Sequence, residues 1–148
     1  MLTRGTLAGL LLAFSLFSGS ALAQDWSFIS PLTAQVLDVR PGDSAPILFS
    51  DNPDPGVAET AVIFHYFDNR GGGNALMLNV GLFKRKPDGW HSIGPVEVYG
   101  SNPREANFYP GQVRLKATMP GPNDPRCCPT LTVDWVVDTE TLQVWRLN

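Results

Sequence analysis

The sequence predicts an all-β fold, a small single-domain antiparallel meander that closes into a barrel or a strongly curled sheet behind an irregular N-terminal segment. Three observations carry that expectation. The 13 prolines and 14 glycines lie mostly between apolar runs rather than inside them, which is how antiparallel strands are punctuated. The runs beyond residue 60 are rich in β-branched and aromatic residues, and several alternate with period two. Helical periodicity is scarce after the first 23 residues.

Taken from the start, residues 1–23 read as a cleavable secretory signal peptide. Arg4 supplies the positive start, Leu7 to Phe17 an apolar core, and Ala21-Leu22-Ala23 the small residues a signal peptidase accommodates. A core of that length falls short of the roughly 20 apolar residues that span a bilayer. The expected product is therefore residues 24–148, periplasmic or secreted and not membrane-spanning. Cleavage removes one of the 11 basic residues, Arg4, and none of the 14 acidic ones, leaving a formal charge of −4. A domain of that sign lacks the electrostatic footprint of a nucleic-acid binder.

Residues 24–59, rich in Pro, Gly and Asp, read as an irregular wrap over the outside or a plug at one end. At most a short helical turn is expected near Thr33 to Val39, before Pro41-Gly42. Residues 60–148 carry the strand meander. Ala61 to Phe67 and Ala75 to Phe83 flank the glycine-rich loop at Asn69 to Asn74. Pro87-Asp88-Gly89 has the order of a type I turn, so Leu76 to Lys84 and Trp90 to Tyr99 are expected to pair as a hairpin. Val113, Leu115, Ala117 and Met119 alternate with Gln112, Arg114, Lys116 and Thr118, and Leu131, Val133, Trp135 and Val137 repeat the pattern. A tight turn at Thr139-Glu140 leads into Leu142 to Leu147. The total is about six strands, and their local connections favour a barrel or curled sheet over a two-sheet sandwich.

The informative chemistry lies in Gly121 to Thr130, which contains the only two cysteines, Cys127 and Cys128. An oxidising compartment favours oxidation of a lone pair. Adjacent Cα atoms are about 3.8 Å apart, below the usual disulfide span of about 4.4 to 6.8 Å. Pro129 also restricts Cys128 to extended angles, at which successive side chains diverge. Four arrangements stay open: two separately packed thiols, a vicinal disulfide, a redox or soft-metal site, and a bridge between chains. Asp124 and Arg126 accompany the pair as binding or redox candidates.

The segment Asp124-Pro125-Arg126-Cys127-Cys128-Pro129-Thr130 resembles the D-P-x-C-C-P-S/T stretch of a group of bacterial secreted proteins and lipoproteins, some similar to the mycobacterial LppP/LprE lipoproteins. The likeness is strong over the last third of the chain and faint in the middle. It implies an envelope or secreted location and no specific activity. This chain lacks the anchoring cysteine of the lipoprotein members.

Catalytic patterns are weak. His65 lies in an aromatic run and His91 follows a turn, and neither has a metal-ligating partner at i+2 or i+4. No G-x-S-x-G elbow is present, and Gly71-Gly72-Gly73 lacks the Lys-Ser/Thr of a phosphate loop. Asp124 reads as a turn residue and Asp134 as the solvent face of a strand. No catalytic residue, metal site or cofactor is expected. The reading that follows is a non-enzymatic envelope module that binds a protein, peptide or glycan, with Trp26, Tyr99, Phe108, Tyr109 and Trp145 as surface aromatic candidates. A thiol-dependent redox or soft-metal role centred on Cys127 and Cys128 is the alternative.

Overall fold

The computed structural model describes residues 25–72, 76–125 and 127–147. The signal-peptide assignment and Arg126 lie outside the described residues. A 3-10 turn at Ser27–Ile29 runs into helix α1, Ser30–Val36. Eight strands follow: β1 Ile47–Ser50, β2 Thr60–Asp68, β3 Leu76–Lys86, β4 Gly89–Pro95, β5 Ser101–Tyr109, β6 Gln112–Met119, β7 Leu131–Asp138 and β8 Val144–Arg146. They form two antiparallel four-stranded sheets, ordered β1-β2-β3-β4 and β5-β6-β7-β8. The chain is mostly β, as expected. Closure into one barrel or strongly curled sheet is not found.

The reason lies between β4 and β5. Pro95 has no N–H to extend the ladder, and after Val96 donates to the Val80 carbonyl at 3.0 Å the chain leaves the first sheet. Val96 and Val98 are buried in the core between the sheets as the chain crosses. Gly100 then turns it at φ +110°, where an added Cβ would lie 2.7 Å from the Thr118 carbonyl oxygen. The β3–β4 hairpin forms as expected, but β4 stops at Pro95 instead of running on to Tyr99.

Each sheet contributes one face to a shared core. Val62, Phe64, Val80 and Leu82 of the first meet Val113, Leu115, Val133, Trp135 and Val137 of the second. Burying a side chain such as Phe64 or Leu115 contributes about 2 to 3 kcal/mol. The alternation read in β6 and β7 is observed, with Leu115 facing Trp135 and Ala117 facing Val133 across the ladder.

Strand β2 is different, because Ala61, Ile63 and His65 on its other face are buried too. A second cluster covers that face, where Ile29 and Leu37 of the N-terminal segment pack on Ala61, Ile63 and Phe83. Two-sided burial explains why Ala61 to Phe67 reads as a continuous apolar run rather than an alternation. The segment expected to be irregular thus contains α1 and β1. The helix begins three residues ahead of the expected turn, with Pro31 in its first turn and Thr33 Oγ1 donating to the Ser30 carbonyl at 2.9 Å.

Strand β5 escapes the sequence pattern. Its ladder to β6 is interrupted twice, and Asn102 and Glu105 take positive φ values of 49° and 51°. Bulges and Pro103 are devices that blunt an exposed sheet edge. The closing strand is shorter than expected, because Asp138 accepts from the amides of Glu140 and Thr141 and the turn extends to Gln143. Among the described residues no helix is long and apolar enough to cross a membrane.

The register makes a specific expectation. Leu115→Asp or Val133→Asp places an unpaired carboxylate between the sheets, costs about 4 kcal/mol or more and abolishes the cooperative β circular dichroism melt. Lys116→Glu, on the solvent side beside Glu105, leaves that melt nearly unchanged. The opposite pair of outcomes would mean that β6 and β7 are out of register by one residue.

Candidate functional site

The loop between β6 and β7 is organised by one carboxylate. Asp124 Oδ2 accepts from the Gly121 amide at 2.7 Å and the Thr130 amide at 2.6 Å, while Thr130 Oγ1 donates to Oδ1 at 2.9 Å. These bonds tie the two ends of the segment together, and they hold the Asp124 carboxyl below its ordinary value of 3.8, the Gly121 amide contributing most. Inside the clasp the Cys128 amide donates to the Pro125 carbonyl at 3.0 Å, which bends the chain at Cys127.

Cys127 and Cys128 are joined in a vicinal disulfide, and both are exposed. The pair thus differs from two separately packed thiols, and the turn closed from Cys128 to Pro125 lies beside it despite Pro129. No group of three or more His, Cys, Asp or Glu among the described residues could hold a metal ion. A disulfide of this kind can undergo thiol–disulfide exchange.

Beside this loop lies an apolar cleft of about 410 Å³, lined among others by Tyr66, Leu76, Leu78, Tyr99, Pro120 and Pro129. Pro129 belongs to the disulfide loop, so the loop forms one wall. Leu76 is 66% exposed and Tyr99 53%. The walls are fixed by hydrogen bonds. Tyr66 Oη donates to the Gly100 carbonyl at 2.8 Å, and Trp135 Nε1 donates to the Tyr99 carbonyl at 3.1 Å. Partial burial pushes the Tyr66 hydroxyl above its ordinary value, which keeps it a proton donor.

Of the aromatic candidates, only Tyr99 faces this cleft. Trp26 packs at 5.3 Å on Trp90 in the N-terminal layer and donates to the Pro53 carbonyl. Phe108 packs against the inter-sheet core, and Tyr109 lies under the Arg114 guanidinium at 5.0 Å. Both line a separate cleft of about 370 Å³ at the other end of β6, closed across by the Lys84–Glu140 ion pair. Trp145 sits on the edge strand β8 opposite Val136. The five aromatics therefore do not form one surface.

His91 pairs with Asp88 at 2.9 Å on an exposed turn. His65 is wholly buried, with Nδ1 3.2 Å from the Leu37 carbonyl oxygen and Nε2 3.4 Å from Asp43 Oδ2, outside hydrogen-bonding geometry. Arg70 completes this group by donating to Asp43 at 2.8 Å and pairing with Asp38. The Arg40 amide, then Arg70, holds the Asp43 carboxyl below its ordinary range. Sequence reasoning missed the cluster, because its members come from three separate segments and share no spacing motif. It joins the N-terminal layer to the first sheet, and its imidazole is wholly buried.

No protein family, curated protein or solved structure gives a significant match to this chain.

The Asp124 clasp carries a pH dependence of defined sign. A carboxyl whose folded value lies below 3.8 stabilises the loop above that value, and the contribution is lost as pH falls from it through the folded value. The Thr130 amide should be protected from hydrogen exchange at about pH 6 and lose protection below about pH 4. In Asp124→Asn it should be weakly protected at both, with the strands unchanged. Equal protection in the two proteins would remove Asp124 as the organiser.

Proposed function

We propose that this chain is an exported, non-enzymatic binding module that holds an apolar segment of a partner protein or peptide in the cleft between β3 and the disulfide loop. One observation carries this reading: an apolar cleft with rigidly held walls leaves Leu76 and Tyr99 open to solvent. Exposed apolar surface in a fixed concave setting is a recurring feature of interaction sites. The aliphatic lining favours a protein or peptide over a glycan, which would call for more polar groups and a broader aromatic platform. The likeness of Asp124 to Thr130 to the secreted and lipoprotein segment agrees with an envelope role. The Asp124–Thr130 hydrogen bonds supply a physical reason for that spacing.

Export is part of the proposal, with residues 1–23 removed before the module acts. Intact mass spectrometry of material recovered outside the cytoplasm should place the N-terminus at Gln24 or within a residue or two. Exported protein that keeps Met1 would refute cleavage.

A thiol-dependent role is the second reading, favoured by the exposed disulfide in the loop whose Pro129 lines the cleft. One set of measurements addresses both. Random peptides enriched on residues 24–148 should bind at least about tenfold more weakly to a Leu76→Ser, Tyr99→Ala double variant whose circular dichroism is unchanged. No enrichment, or binding indifferent to the two substitutions, rejects the cleft as the site. Affinity that changes only when a mild dithiol opens the Cys127–Cys128 bond selects the thiol-dependent reading.

A further inference from the structure

Strand β3 is longer than the strand beside it. Its ladder to β4 runs from Lys86↔Gly89 to Gly81↔Pro95, and the Val96–Val80 hydrogen bond is the last on that side. Leu76 to Asn79 continue to pair with β2 through Asp68, but among the described residues no backbone group pairs with them on the other side. In an antiparallel strand, successive residues direct their N–H and C=O groups to opposite sides. Because Val80 directs its carbonyl toward Val96, Leu78 and Leu76 present theirs in the same direction. Four residues of open edge span about 13 Å.

The open stretch has none of the usual protections. Strand β5 carries two ladder irregularities and a proline, whereas Leu76-Met77-Leu78-Asn79 is uncharged, free of proline and mostly apolar. The edge also borders a groove. A cleft of about 280 Å³ lined by Leu78, Glu97 and Tyr99 shares Leu78 and Tyr99 with the cleft beside the disulfide loop. One carboxylate, that of Glu97, lines the groove, and a second, that of Asp68, sits one strand away on β2 as the cross-strand neighbour of Leu76 on the same face. Both are exposed, and neither side chain has a partner among the described residues. Arg70, in the loop after β2, is paired with Asp38 and Asp43.

Resting on the binding reading above, we propose that the partner is an extended peptide segment that adds to the first sheet as a strand along Leu76 to Asn79. It pairs with the N–H and C=O groups of Leu76 and Leu78, sets alternate apolar side chains against Tyr99 and Pro129, and places basic residues near Asp68 and Glu97. Backbone pairing supplies affinity, while the pockets for alternate side chains and the two carboxylates supply selectivity.

The probe is a capped heptapeptide of alternating valine and threonine with lysine at each end, titrated onto residues 24–148. Binding should shift the Leu76 and Leu78 amide resonances and slow their hydrogen exchange. An analogue N-methylated on the residues that face the edge should bind at least about tenfold more weakly, because it loses the backbone donors. Glutamate in place of the terminal lysines should weaken binding several-fold, and Asp68→Asn with Glu97→Gln should shrink that difference. Equal binding of the N-methylated analogue would overturn strand addition while leaving the cleft as a binding site. Failure of the heptapeptide alongside success of unrelated cleft-binding peptides would do the same, and failure of every peptide would remove both readings. A concentration-dependent dimer protecting Leu76 and Leu78 without peptide would overturn the proposal in favour of a second copy as the occupant.

Discussion

The burial of strand β2 on both faces is the constraint from which the rest of the architecture follows. Its inner residues, Val62 and Phe64, need the second sheet, and its outer residues, Ala61, Ile63 and His65, need a further layer. The N-terminal segment supplies that layer through Ile29 and Leu37. Burying His65 there requires polar partners on the covering layer, and the Leu37 carbonyl and Asp43 carboxylate lie beside its two ring nitrogens. Arg70, from the loop after β2, meets the same carboxylate from the other side. Polar groups thus gather at the seam where the apolar layer ends, although His65 Nε2 itself makes no hydrogen bond there.

Legibility in the sequence follows from how local each signal is. The alternation of Val113 to Met119 and Leu131 to Val137 reports a face exposed on one side, a property each strand carries by itself. The turn at Pro87-Asp88-Gly89 is equally local. Strand β5 was illegible because Asn102, Pro103 and Glu105 oppose strand propensity and are tolerated only at a bulged edge. The division into two sheets was illegible for a different reason. It depends on where Val96 and Val98 find burial, and nothing in those residues distinguishes continuing along β3 from crossing to the second sheet.

The candidate site was half legible. Its cysteine segment stood out, and so did Tyr99, but the sequence held nothing that brings Tyr99 beside Pro129. Restriction of Cys128 by the following proline argued against a bond between adjacent cysteines. The competing effect was the turn closed from Cys128 to Pro125, which bends the backbone one residue earlier. Asp124 reads as a turn former in the sequence, and its carboxylate does more, because three donors from both ends of the segment converge on it. The loop is thereby held by prolines and by a clasp that does not involve sulfur, so its form does not depend on the disulfide alone.

The two ends of the structure have different chemistry. Near Gln112 and Val113 the space between the sheets is crossed by the Lys84–Glu140 pair, and the Asp51 carboxylate is occupied by the amides of Glu59 and Thr60. Polar groups there already satisfy one another. Near Thr118 the first sheet outlasts its edge strand, so apolar side chains and backbone hydrogen-bonding groups are left open together at Leu76 and Leu78. The early departure of the chain at Pro95 causes both features. It frees the edge of β3, and it routes Val96 to Gly100 beneath that edge as the floor of the groove. The same crossing that splits the fold into two sheets therefore also opens the groove beside β3.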